Sequence, residues 1–120
     1  MKEFINSKDW SDCLLESITV DYDKALVKIS YDDNIIDIIC VNFISIQYLG
    51  QWDESVIKAI KVYEEDGFCQ DCKEIVKKFN PITLSGGGVK KIDDIWYHIE
   101  IELLDGVKAS LICTEFKVVE

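Results

Sequence analysis

Residues 95–113, IWYHIEIELLDGVKASLIC, decide the fold. Ile95, Tyr97, Ile99, Ile101 and Leu103 alternate with Trp96, His98, Glu100 and Glu102, the two-residue period of a strand with one buried face. Leu104-Asp105-Gly106 interrupts the pattern, and Val107, Ala109, Leu111 and Cys113 resume it. Turn length then sets the register. A two-residue Asp-Gly turn would place Leu103 against Lys108, apolar against charged. A three-residue loop with Gly106 left-handed pairs Leu103 with Val107, Ile101 with Ala109 and Ile99 with Leu111, and puts Glu102 opposite Lys108 on the other face. The second register keeps each face of one kind and is the one expected.

Upstream, Ile18, Val20 and Tyr22 alternate with Thr19 and Asp21, and Ala25, Val27, Ile29 and Tyr31 alternate with Leu26, Lys28 and Ser30. The polar break at Asp21 to Lys24 makes these runs a β-hairpin. Asp32-Asp33-Asn34 is turn material. Residues 35–48 (IIDIICVNFISIQY) are β-branched and aromatic with weak alternation, as in one bent strand, or two short ones, covered on both faces. Residues 55–65 fit a helical face through Val56, Ala59, Ile60 and Tyr63. The crowding of Val and Ile, closed by Asp66-Gly67, favours a strand over 56–63. Phe68, Cys72, Ile75, Val76 and Phe79 recur at helical spacing with Lys73, Lys77 and Lys78 toward water, which predicts a helix over about 68–79 that Asn80-Pro81 stops. Ser85-Gly86-Gly87-Gly88 lies in a loop over about 81–93. No linker divides the chain. The expectation is a single α+β domain over 1–120, mainly an antiparallel β-sheet of about five to six strands with one helix packed on it.

Composition narrows the function. The chain has 120 residues, 48 % of them hydrophobic and 30 % charged, enough apolar material for a core. Its 13 basic residues are all lysine and face 23 acids, for a net charge of -10. The first 57 residues carry -7 of this and the rest -3. Such a surface repels nucleic-acid phosphates and anionic membranes and attracts a basic protein. The same charge also serves plain solubility. No run approaches the length of a membrane helix, and Met1-Lys2-Glu3-Phe4 does not read as a signal peptide, so a cytoplasmic protein with free thiols is expected.

The one chemical motif is Cys69-Gln70-Asp71-Cys72. Two cysteines at i and i+3 at a helix start can form a redox disulfide, because a helix N-terminus favours thiolate. Residues 60–76 resemble the active-site strand, turn and helix of thioredoxins and glutaredoxins. The only proline, Pro81, closes the same helix instead of opening a later cis-proline strand, and Asp71 would raise a thiol pKa. Zinc is not expected, because His98 is the only histidine and no second close Cys or His pair exists. His98 lies on the strand face opposite Cys113, which excludes a Cys–His dyad and makes it a surface residue of the sheet. Ser85 to Lys90 lacks the spacing of a phosphate loop. Asp32-Asp33 and Asp93-Asp94 read as turns. No cofactor is called for. Trp96, Ile112 and Phe116 share the hairpin's nominal outer face, which either the helix covers or a partner does.

Trp10-x-Asp12-x-x-Leu15-x-x-Ile18, Gly50-x-Trp52-Asp53-Glu54, and Trp96-x-x-Ile99-Glu100-Ile101-Glu102-Leu103-Leu104-Asp105-Gly106 with Cys113 seven residues on carry a further resemblance. They are similar to the opening, middle and close of small bacterial domains that include immunity proteins encoded beside polymorphic toxins. Ser11-Asp12 stands where those domains usually have His-Asp. The resemblance implies a protein that acts by occluding a toxin and has no catalytic residues. The expected contacts are Trp52, Asp53 and Glu54, with Trp96 and Glu100. The alternatives are a thiol–disulfide oxidoreductase using Cys69 and Cys72, or a structural domain with another partner.

Overall fold

The computed structural model describes residues 2–48, 54–83 and 94–120, with the backbone alone for 79–83. A short helix α1 (Lys2–Ser7) precedes β1 (Leu14–Asp21), β2 (Lys24–Tyr31), β3 (Asn34–Tyr48) and β4 (Ile57–Glu64). Helix α2 (Gly67–Thr83) follows, and β5 (Tyr97–Leu103) and β6 (Lys108–Val119) complete the order. The strands form one sheet in the order β1-β2-β3-β6-β5-β4, every neighbouring pair antiparallel.

The C-terminal hairpin has the expected register. Ile99 pairs with Leu111, Ile101 with Ala109 and Glu102 with Lys108. The Leu103 N–H donates to the Val107 carbonyl at 2.9 Å, and Gly106 is left-handed at φ 89°. The first hairpin turns through Tyr22-Asp23, with Asp21 paired to Lys24. Residues 56–63 take the strand option: β4 occupies Ile57–Glu64, with Val56 in an isolated bridge.

Residues 34–48 form one bent strand. Asn42 is left-handed (φ 53°), and Ile44 is the extra residue of a bulge against β6. Beyond Val41, β3 leaves β2 and pairs with β6 alone. The bend also upsets strict alternation on β6. Cys113 and Phe116, three residues apart, both pack into the interior, so Phe116 does not lie on the outer face with Trp96 and Ile112. Its ring instead meets Tyr97 edge-on at 5.3 Å.

The sheet curls until its outermost strands touch. Leu14 bridges Val56, the Leu15 N–H donates to the Ser55 carbonyl at 2.8 Å, and the Ile57 N–H donates to the Cys13 carbonyl at 2.9 Å. The concave face encloses the main core, which includes Val27, Ile38, Ile60, Ile101 and Leu111. Ile5 and Trp10 join it, and the Trp10 indole N–H donates to the Ile5 carbonyl at 2.9 Å.

Helix α1 was not anticipated. Its six residues bury only Ile5, too little to show a helical period. Its role is visible in Asn6. The Asn6 amide donates to the Val62 carbonyl at 3.0 Å and accepts from the Val62 N–H at 2.7 Å, as a paired strand residue would. Helix α2 runs two residues past Asn80-Pro81, so the proline, though it withdraws its own N–H and crowds the carbonyl four residues back, does not end it.

Replacing Asn6 by Ala leaves both Val62 backbone groups without this partner. The expected loss is about 1–3 kcal/mol in urea unfolding, with faster hydrogen exchange at the Val62 amide. An unchanged exchange rate there would show that the Asn6 amide does not hold the strand.

Candidate functional site

Helix α2 docks on the outer, convex face. Its stripe of Phe68, Cys69, Cys72 and Val76 packs on Trp96, Ile112 and Ile44. This corrects Trp96 as a contact residue: it is fully buried beneath the helix. The apolar stripe needs a cover, and the large aromatic just before the facing strand supplies it. Ile75 points away and is exposed.

Two acids organise the helix start. Asp66 caps it, accepting the Cys69 N–H at 3.0 Å. Glu65, left-handed at φ 51°, accepts the Trp96 N–H at 2.7 Å and both bonds from Lys73 Nζ at 2.6 and 2.7 Å. Lys73 therefore does not face water as its helical position suggested. It is drawn over the Trp96 ring, 5.2 Å from the centroid.

His98 is likewise not a surface residue. It is 4 % exposed, because the first turn of α2 closes over it. Its Nδ1 lies 2.7 Å from Asp66 Oδ2, Phe68 stacks on it at 4.6 Å, and Tyr63 lies at 5.5 Å on a tilted plane. The Asp66 carboxylate is acceptor-only, so Nδ1 is the donor, which leaves Nε2 as the other ring nitrogen. Among the described residues that Nε2 is buried and has no hydrogen-bond partner. His98 also walls a groove of about 610 Å³ shared with Gln47, Phe68, Glu100, Lys108 and Ser110.

Both acids titrate below their ordinary values. Burial pushes Asp66 up, but hydrogen bonds from His98 and the Cys69 N–H outweigh it and bring the carboxyl below 3.8. Burial also raises Glu65, and the bonds from Lys73 and the Trp96 N–H bring it below 4.5.

The thiols show the reverse pattern. All five cysteines are free. Burial, followed by the neighbouring Asp66, pushes the Cys69 thiol up to about 12, and it donates to the Trp96 carbonyl at 3.6 Å. Burial raises Cys72 as well, with Asp71 adding to it and Ser45 opposing. Neither sulfur is prepared as a thiolate nucleophile.

Of the expected contacts, Glu100 sits on the groove wall, half-buried, with Lys108 Nζ 3.6 Å from its carboxylate. Glu54 accepts the Val56 N–H at 2.9 Å and so holds its own backbone turn. Trp52 and Asp53 lie outside the described residues, as does the Ser85 to Gly88 loop. The sequence marked Asp66 only as a strand end and Phe68 only as a helix-face position, not as residues of a site. The signal available was Asp66-x-x-Cys69 opening a helix, the spacing of a cap. Among the described residues no group of three or more His, Cys, Asp or Glu is placed to hold a metal ion, and no helix is long and apolar enough to cross a membrane. No protein-family model matches the chain, and no curated protein is found to match it.

Two outcomes follow. A carboxyl whose pKa falls on folding contributes stability above its unfolded value and loses it as pH drops through the folded value. Stability should therefore decline as pH falls through 4.5 and 3.8, the ordinary values of the two carboxyls, and below them, and Asp66→Asn and Glu65→Gln should each flatten that decline in urea titrations; an identical slope in both variants refutes the assignment. Native thiol labelling at neutral pH should reach Cys72 first and leave Cys13, Cys40, Cys69 and Cys113 unmodified until unfolding, and rapid labelling of Cys69 would contradict its burial.

Proposed function

We propose that this chain is a non-catalytic binding protein of the immunity type, which neutralises a cognate bacterial toxin by occluding it in the cytoplasm. The observation that carries this reading is where the charge sits. Asp53, Asp93, Lys90 and Lys91 are the only charged residues outside the described part, so the described residues bear the whole net charge of -10. Acids crowd the exposed turns of the first sheet half. Asp21 and Asp23 flank Tyr22, which is 94 % exposed and left-handed at the hairpin tip, and Asp32-Asp33 forms the next turn. An aromatic set between carboxylates offers a basic protein both an anchor and a complementary field. The curled, cross-linked sheet presents these groups on a stiff scaffold, so little ordering is needed on binding.

The partner is therefore a basic protein surface, not a nucleic acid or a membrane, whose phosphates this charge repels. The resemblance of the Trp10, Trp52 and Trp96 segments to immunity proteins points the same way.

The test is growth. Expression of the product of the adjoining gene should arrest cells, and co-expression of this chain should restore them. Arrest that persists while the folded protein accumulates refutes the proposal. In the purified pair, converting Asp21, Asp23, Asp32 and Asp33 to Lys should slow association by about tenfold or more, with little change in unfolding stability.

A further inference from the structure

We infer that the hollow around Thr114, where β5 begins, is an anchor site for a cationic side chain, a lysine or arginine inserted by the protein partner. This rests on the reading of the chain as an acidic binding protein and specifies one of its contacts. The hollow starts from a lapse in the strand ladder. Pairing of β5 with β6 stops at Tyr97–Cys113, and β3 passes from Val41–Glu115 to Phe43–Cys113 around the left-handed Asn42. Among the described residues, Thr114 is therefore the one position of β6 with no register partner on either side. Two adjoining hollows of about 460 and 410 Å³ open there, and Tyr97, Thr114 and Glu115 line both.

Thr114 is the polar group that the fold leaves unserved. It is 8 % exposed, yet its hydroxyl has no hydrogen-bond partner among the described residues. A hydroxyl can receive a donor or an acceptor, so the carboxylates around it set the sign of the occupant. Glu64 and Glu115 stand on one hollow, and Asp94 and Glu115 on the other. None of the three is in an ion pair among the described residues, so no existing pair has to open. Glu3, on the same wall, is already partnered. Lys2 is the only lysine lining either hollow. The field therefore draws in a cation and repels a phosphate or carboxylate. Among the described residues no three of these carboxylates converge as a metal ion requires, and the fit is to an extended organic cation that meets them singly. Tyr97 and Phe116, half-buried and edge-on at 5.3 Å, supply the apolar wall along which a methylene stem lies.

The test is a titration of the full chain, at constant ionic strength, with N-acetyl-lysine methylamide and N-acetyl-arginine methylamide. Both should move the backbone amide resonances of Tyr97, Thr114 and Glu115 saturably in the millimolar range. The norleucine and glutamate analogues, one apolar and one anionic, should not. Thr114→Val keeps the β-branched shape and removes only the hydroxyl, so the fold should hold while the cationic probes weaken by about threefold or more. Glu115→Gln should weaken them by about twofold to fivefold, and Glu16→Gln, on β1, should change nothing. Unmoved resonances, an equal response to the norleucine or glutamate analogue, or undiminished binding in folded Thr114→Val or in Glu115→Gln overturns the inference. Probe binding without growth rescue removes the toxin assignment and keeps the site; rescue without probe binding does the reverse.

Discussion

Two backbone hydrogen bonds, Leu15 to Ser55 and Ile57 to Cys13, join the first strand to the fourth, and the architecture depends on that junction. An open six-stranded sheet of this length would leave its concave side to water. Pinning the outermost strands together turns that side inward, so Val27, Ile38, Ile101 and Leu111 share one interior without a second layer of helices. The junction also frees α2 for the convex side. There it buries Trp96 and Ile112 and closes over His98, leaving the groove beside it. Core, cover and groove thus follow from one closure.

Legibility in the sequence tracked how local the deciding contacts were. The hairpin of β5 and β6 was readable to the residue because its register is fixed by alternation and by one glycine, both local. The helix over 68–79 was readable from its period, and the strand over 56–63 from its Val and Ile content. Three features were not. Helix α1 is too short for a period. Phe116 changes face because Asn42 bends the partner strand, an event on another segment. Trp96 and His98 were placed on a nominal outer face, and nothing in residues 95–113 says which part of that face a helix will cover. The Asp66–His98 contact spans 32 positions and needs both elements docked before it exists.

The charge distribution and the buried chemistry divide the molecule's labour. Carboxylates at the strand turns are free to act at a distance, where Coulomb steering requires no fixed geometry. Glu65 and Asp66 are spent on structure, one on the Trp96 backbone and Lys73, the other on a helix cap and His98. The cysteines are volume-filling apolar residues here. Desolvation and neighbouring acids hold the protons of Cys69 and Cys72, whose i, i+3 spacing reflects the helical stripe they help to fill.

The pairing of Asn6 with Val62 bears on how the molecule behaves in a crowd. Strand β4 lies at the sheet's margin, and a bare margin of N–H and C=O groups is a template on which a second molecule can add its own strand. The amide of Asn6 occupies that template from within the chain, helped by Lys58 and Lys61, whose charges face outward along the same strand. Shortening the chain by its first helix would therefore do more than lower stability. It would uncover a polymerisation edge, open to stacking and fibre growth.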